Sequence, residues 1–265
     1  MRPLTLTTPK ELLPLGRRLV LQVVLAELAT AGVRRVLIIV SPQKPQIQAA
    51  LGSSWREEGG ECVELEYAVQ PEPRGSGDAV LRAEEWAAGE PVVVAFGDCV
   101  IAAGSAEPPL LRMQRCYSAN GAGAVVLVEV VPAEHVSRYG IVRPMDVVSA
   151  ADPFLLSGLV EKPMPLEAPS NFAVSARFIV GPGIYTALRA QTPDFRGETN
   201  LTEAIATTAH EGPPVWAVPL RSGEERLDTG AFDGYLAAFV RHAMQDEAAG
   251  GRAREEAARL LAPGG

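Results

Sequence analysis

Residues 89–101 read GEPVVVAFGDCVI. Val92 to Phe96 form a nearly continuous apolar run bounded by Pro91 and by Gly97-Asp98, which is the pattern of a central, fully flanked β-strand. Upstream, PEPRGSG leads into an amphipathic segment from about Asp78 to Ala88 that spaces its apolar residues as a helix does. Before it, VELEYAV reads as a strand ending at Gln70, and SPQKPQIQAALG as a short helix that starts near Lys44 with Pro45 in its first turn. Earlier still, apolar residues recur at helical spacing from Leu19 to Ala31, Gly32 stops that helix, and VRRVLIIV reads as a buried strand.

The alternation continues downstream through the helix LLRMQRCYSA and the strand GAVVLVEVV. Helices and strands in this order predict an open α/β sheet, mixed but mostly parallel, with helices on both faces. In such sheets ligands bind outside the carboxyl ends of the strands, which places Asp98 at a mouth and not in a core. Residues 139–180, with short strands and Pro-rich loops, read as an excursion from the main sheet toward a substrate. A helix from about Leu201 to Thr208, the strand VWAVPL and helices from about Phe232 complete residues 1–245 as one domain. After Gln245 the composition narrows to Ala, Glu, Arg and Gly, so 246–265 reads as a frayed or oligomer-packing tail.

The 265 residues are 47% hydrophobic and 21% charged, enough to bury a sizeable core. The formal net charge of -8, with no Lys/Arg cluster, argues against a nucleic-acid partner held through phosphates. No apolar run approaches the roughly 18 residues of a membrane span, and Pro3, Pro9 and Pro14 interrupt any leader-like start. Cys62, Cys99 and Cys116 suggest neither a disulfide framework nor a zinc site, which fits a reducing cytoplasm. The three histidines, His135, His210 and His242, lie in no Ser/His or Cys/His setting and read as surface or capping residues. What remains is acids, lysines and glycines at strand ends, which suits a reaction between two phosphates, where alignment and charge neutralisation matter more than proton removal.

Seven segments in order, TPKELLP, QPEPRGSGDAV, FGDCVI, SRYGIV, GLVEKPMPLEAPSNFAVSARFIV, GETNLTEAI and RLDTGAFDGYL, resemble the successive signatures of the UTP-glucose-1-phosphate uridylyltransferases over about residues 3 to 240. The resemblance implies a Rossmann-like nucleotidyltransferase fold and transfer of a uridylyl group from UTP to glucose 1-phosphate, giving UDP-glucose and pyrophosphate with Mg²⁺. It implies that Asp98 and Asp228 bind the metal, the hard oxygen ligands Mg²⁺ favours; read locally, either aspartate would simply cap the element that follows it. It gives Lys162 the sugar phosphate, Glu161 the sugar hydroxyls, and Gly140 and Asn171 further sugar-side places, where local reading sees loop charges and turn formers. It sets Gln70 and Gly75 at the uracil edge, Lys10 near the triphosphate, and Glu198 in a segment bordering the sugar phosphate, before a helix that Thr202 and Glu203 begin. Relatives commonly form dimers or tetramers.

Members of that family begin with an interior strand and a G-x-G-T-R loop placed before the segment that here reads RPLTLTTPKELLP. Roughly a dozen residues are thus missing relative to the pattern, and the reading expects the true start to lie upstream. Each lost phosphate-cradling donor is worth about 1.5 to 3 kcal/mol, so this chain as it stands is expected to bind nucleotide weakly, with the missing strand's neighbours lacking ladder partners. Cys99 replaces an acid common after the metal aspartate, Arg18-Leu19 replaces a Lys-Pro pair, and Asp78 stands where these uridylyltransferases often carry histidine. These departures keep two alternatives open: an enzyme using dTTP or another nucleoside triphosphate, and a non-catalytic relative that binds a sugar nucleotide or regulates a partner.

Overall fold

The computed structural model describes residues 1–57, 59–102, 104 and 107–262. A 3-10 turn, Lys10–Leu12, and the hairpin β1 (Pro14–Leu15) and β2 (Arg18–Leu19) lead into α1 (Val20–Thr30). Helix α1 forms because Leu21, Val24, Leu25 and Leu28 fall on one buried stripe and the Gln22 side chain accepts the free amide of Leu19 at 2.9 Å. Next come β3 (Arg35–Val40), α2 (Pro45–Leu51), β4 (Ser54–Arg56) and β5 (Cys62–Val69). The helix expected from Asp78 to Ala88 is two helices, α3 (Gly75–Leu81) and α4 (Glu84–Ala87). Tighter bonds, from the amides of Arg82 and Ala83 to the carbonyls of Ala79 and Val80, end α3 between them.

Strands β6 (Val92–Ala95) and β7 (Cys99–Ala102), helix α5 (Pro109–Asn120) and strand β8 (Ala124–Val130) follow. Then come β9 (Gly140–Pro144), β10 (Phe154–Glu161), β11 (Phe172–Val180), α6 (Gly183–Ala190), α7 (Leu201–Glu211), β12 (Val215–Pro219), β13 (Glu225–Asp228), α8 (Phe232–Gln245) and α9 (Gly250–Leu261).

Six strands form one sheet in the order β6-β11-β8-β12-β10-β9, and β3-β5-β4 form another. The fold is mixed α/β as expected, but among the described residues parallel pairing is confined to β3 with β5 and β8 with β12; the other ladders are antiparallel. A parallel neighbour needs a long crossover, whereas β9, β10 and β11 follow one another through loops that let the chain turn back on itself. The stretch 139–180 is therefore not an excursion from the main sheet: β11 lies inside it between β6 and β8, and β10 and β9 extend it beyond β12.

Strand β6 is not central either. Among the described residues it pairs only with β11, and β3 pairs only with β5, so each keeps an edge without a ladder partner. The difference is visible in burial: Val125, Val126, Leu127 and Val128 of β8 are inaccessible, while all four residues of β6 are half-exposed. Yet Val36 and Ile38 of β3 and Val93 and Ala95 of β6 pack on the same core of Leu25, Met113, Leu127 and Ile179. Full burial of such an aliphatic side chain stabilises by about 1.5–3 kcal/mol, so this shared core holds the two sheets together without a hydrogen bond between them.

Candidate active site

Strand β6 ends at Ala95 and the chain turns through Phe96, Gly97 and Asp98, the amide of Cys99 donating to the Phe96 carbonyl at 3.3 Å. Strand β7 then pairs with β13 in a register that sets Cys99 opposite Asp228. This ladder brings Asp98 and Asp228 side by side although their numbers differ by 130 in the chain. The Thr229 amide and hydroxyl both donate to the Asp98 carbonyl, at 3.1 and 2.7 Å, and lock the turn. Neither aspartate caps a helix: β7 follows Asp98, and Asp228 Oδ1 accepts the Gly230 amide at 2.9 Å.

Gly230 closes the group. A Cβ at that position would lie 3.0 Å from Asp228 Oδ1, 3.3 Å from Asp98 Oδ2 and 3.6 Å from Lys10 Nζ. Lys10 Nζ donates to Asp98 Oδ2. Burial pulls the Lys10 ammonium down, but the charge and hydrogen bond of Asp98, with the charges of Glu11 and Asp228, outweigh it and its pKa is raised. Beside it Lys44 Nζ holds Glu11 Oε1 at 2.8 Å, while Glu11 Oε2 is buried without a hydrogen-bond partner. Among the described residues no three or more His, Cys, Asp or Glu side chains gather as a metal cage. Two carboxylates that converge on Gly230 still suit Mg²⁺, which retains waters and takes further oxygens from phosphates.

Behind this group stands Arg177, which the sequence reading did not single out. Its guanidinium is fully buried, is held by Glu27 at 3.0 and 2.7 Å, and donates to the carbonyls of Ala176 at 3.0 Å and Cys99 at 2.9 Å. A register irregularity in β11 between Val174 and Phe178, with Ala176 at φ +54°, accompanies this inward arginine. The available signal was a charge in the otherwise apolar run FAVSARFIV. Cys99 is buried next to it, and burial pushes its thiol up to about 12, which leaves it unreactive.

The sugar-side residues gather at a second place. Gly140 pairs with Glu161 in the β9–β10 ladder, and a Cβ on Gly140 would lie 3.1 Å from both Glu161 Oε2 and the Thr202 methyl. Lys162 follows with φ +46°, its amide donating to the Tyr139 carbonyl at 3.0 Å and its Nζ lying 3.7 Å from Glu161 Oε1. Arg226 joins this place to the first: its guanidinium lies 4.3 Å over the Tyr139 ring, bonds Glu129 at 2.5 Å and reaches Asp228 at 4.0 Å. Asn171 is exposed at the start of β11, its carbonyl accepting the Val131 amide, and joins none of these groups by a contact among the described residues.

At the end of β5, Gln70 Nε2 donates to the Gly75 carbonyl at 3.0 Å and to Asp78 Oδ2 at 2.9 Å. Gly75 has φ +90°, and a Cβ there would fall 2.3 Å from the Thr199 carbonyl, so no other residue fits without moving the backbone. Glu198 lies against this loop, its Cβ 3.2 Å from that position, and not beside Gly140 and Lys162. Thr199 at Gly75 and Thr202 at Gly140 are three positions apart, so the start of α7 joins the Gln70 loop to the sugar-side group.

The chain belongs to the nucleotidyl transferase family, whose profile matches residues 1–245. Its relatives within that family are UTP-glucose-1-phosphate uridylyltransferases. The one from Mycoplasma pneumoniae is 30% identical over 263 aligned positions, covering 93% of this chain and 89% of the relative. That from Bacillus subtilis is 29% identical, with coverage of 92% and 87%. Among solved structures, a UDP-glucose pyrophosphorylase from Acinetobacter baumannii superposes with a TM-score of 0.86 at 26% identity, over 98% of this chain and 94% of that one. A UDP-glucose pyrophosphorylase complexed with UDP-glucose gives a TM-score of 0.82 at 26% identity, over 93% and 94%. No helix among the described residues is long and apolar enough to cross a membrane.

Proposed function

We propose that the chain transfers a uridylyl group from UTP to glucose 1-phosphate, giving UDP-glucose and pyrophosphate, with Mg²⁺. The convergence of Lys10, Asp98 and Asp228 on Gly230 carries this reading. It is supported by relatives named for that reaction and by similar structures described as UDP-glucose-complexed and UTP-bound. The second phosphate pKa of glucose 1-phosphate is about 6, so its oxygen attacks without a base. A bond forms from that oxygen to the α-phosphorus of UTP, the bond from the α-phosphorus to the bridging oxygen breaks, and pyrophosphate leaves with the electron pair.

Each group of side chains has one task. Asp98 and Asp228 would hold Mg²⁺, which when bound neutralises phosphate charge. Lys10 adds a cation beside the triphosphate, and Lys162 lowers repulsion at the entering sugar phosphate. Glu161 accepts the sugar hydroxyls, Gly140 lets the backbone approach the ring, and Asn171 takes a further sugar-side position. Gln70 and Gly75 meet the base, and Glu198 borders them. One domain over residues 1–245 carries the reaction, in a homo-oligomer of the cytoplasm, with 246–265 as a tail.

Pyrophosphate release from UTP and glucose 1-phosphate with Mg²⁺ tests the reading. The protein is expected to release it, and Asp98→Ala to lose about a hundredfold or more in rate, as removal of a group that stabilises transition-state charge does. No release by the unaltered protein, or a near-normal rate in Asp98→Ala, overturns the proposal.

A further inference from the structure

We infer that Asp78 tunes the base preference of the nucleotide site, by joining the Gly75 carbonyl in leaving the oxygen of the Gln70 amide for the base. The inference rests on the proposed placement of Gln70 at the base edge. Both partners of Gln70 Nε2, the Gly75 carbonyl and Asp78 Oδ2, are acceptors only, at 3.0 and 2.9 Å. The end of the amide that faces them is therefore the NH₂, and both of its hydrogens are used. Gln70 Oε1 takes no hydrogen bond among the described residues, and it remains as a pure acceptor for a ligand.

Uracil and thymine carry an N3–H donor, whereas cytosine carries a lone pair at N3. An amide fixed with its oxygen outward pairs with the imide and repels the cytosine N3, a mismatch of polar groups that separates ligands more strongly than a missing methylene does. The two oxygens of Asp78 have separate partners: Oδ1 accepts from Arg82, just past the end of α3, at 2.9 Å, and Oδ2 accepts from Gln70 independently of it. Asparagine at the same position can turn its NH₂ toward Gln70 and favour the opposite orientation of that amide, which leaves the Gly75 carbonyl alone to hold the Gln70 NH₂ inward. If Asp78 served only α3 through its ion pair with Arg82, base preference would not depend on it.

Calorimetric titration of UDP-glucose and CDP-glucose into the unaltered protein, Asp78→Asn and Arg82→Gln decides the matter. The unaltered protein is expected to prefer UDP-glucose, Asp78→Asn to reduce that preference by about tenfold or more, and Arg82→Gln to keep it. A preference unchanged in Asp78→Asn, with an unchanged circular dichroism spectrum, overturns the inference, as does equal binding of both ligands by the unaltered protein. Binding of neither ligand overturns the base-site reading, and this inference falls with it.

Discussion

Asp98 and Asp228, the proposed metal ligands, sit at the end of a β-ladder backed by a fully buried Arg177, whereas Lys162, proposed to meet the sugar phosphate, stands 61% exposed on left-handed backbone. The first place is backed by charge-assisted hydrogen bonds out of water, from Arg177 to Glu27 and to the Cys99 carbonyl, and Thr229 holds the Asp98 carbonyl. The second is held mainly by the backbone, through the β9–β10 ladder and the bond from the Lys162 amide to Tyr139. Charge that must be concentrated before a ligand arrives needs a rigid frame. A cation that meets an incoming phosphate can stay mobile and hydrated until contact.

The comparison breaks most visibly at Arg177. Removing one member of a buried ion pair leaves the other unpaired, so Arg177→Met is expected to lower unfolding stability by about 3–5 kcal/mol, read from the denaturant midpoint. A loss below about 1 kcal/mol would put Arg177 in the class of surface pairs and erase the contrast between the two places.

A smaller effect sharpens the other side. Lys162→Met touches no buried group, so stability should move by less than about 0.5 kcal/mol. The KM for glucose 1-phosphate should rise roughly ten- to a hundredfold, the worth of a hydrogen bond to a charged group. An unchanged KM would remove Lys162 from the sugar phosphate; a large stability loss would mean that the exposed lysine is part of the frame.

Much of this was legible from residue order. The apolar run before Gly97 located Asp98 at a strand end, and the Gly at 140 and 75 marked two places where the backbone comes close to a neighbour. The strand partners were not legible. Whether Val92 to Ala95 lie at an edge or in the middle, and whether β11 runs with or against β8, depends on contacts far apart in sequence, which local periodicity does not encode. For the same reason Arg177 read as a strand residue of no account, since nothing near it in the chain reveals Glu27. Glu198 fell with the base-side loop because Thr199 pairs there with Arg74, a contact that spans 125 positions.

The central claim is that Asp98 and Asp228 hold one divalent cation together. Mn²⁺ titration with UDP-glucose present, followed by the loss of the free-ion electron paramagnetic resonance signal, tests it directly in the unaltered protein, Asp98→Asn and Asp228→Asn. The account predicts that each substitution weakens Mn²⁺ binding by about tenfold or more. Binding in both variants as tight as in the unaltered protein would contradict it.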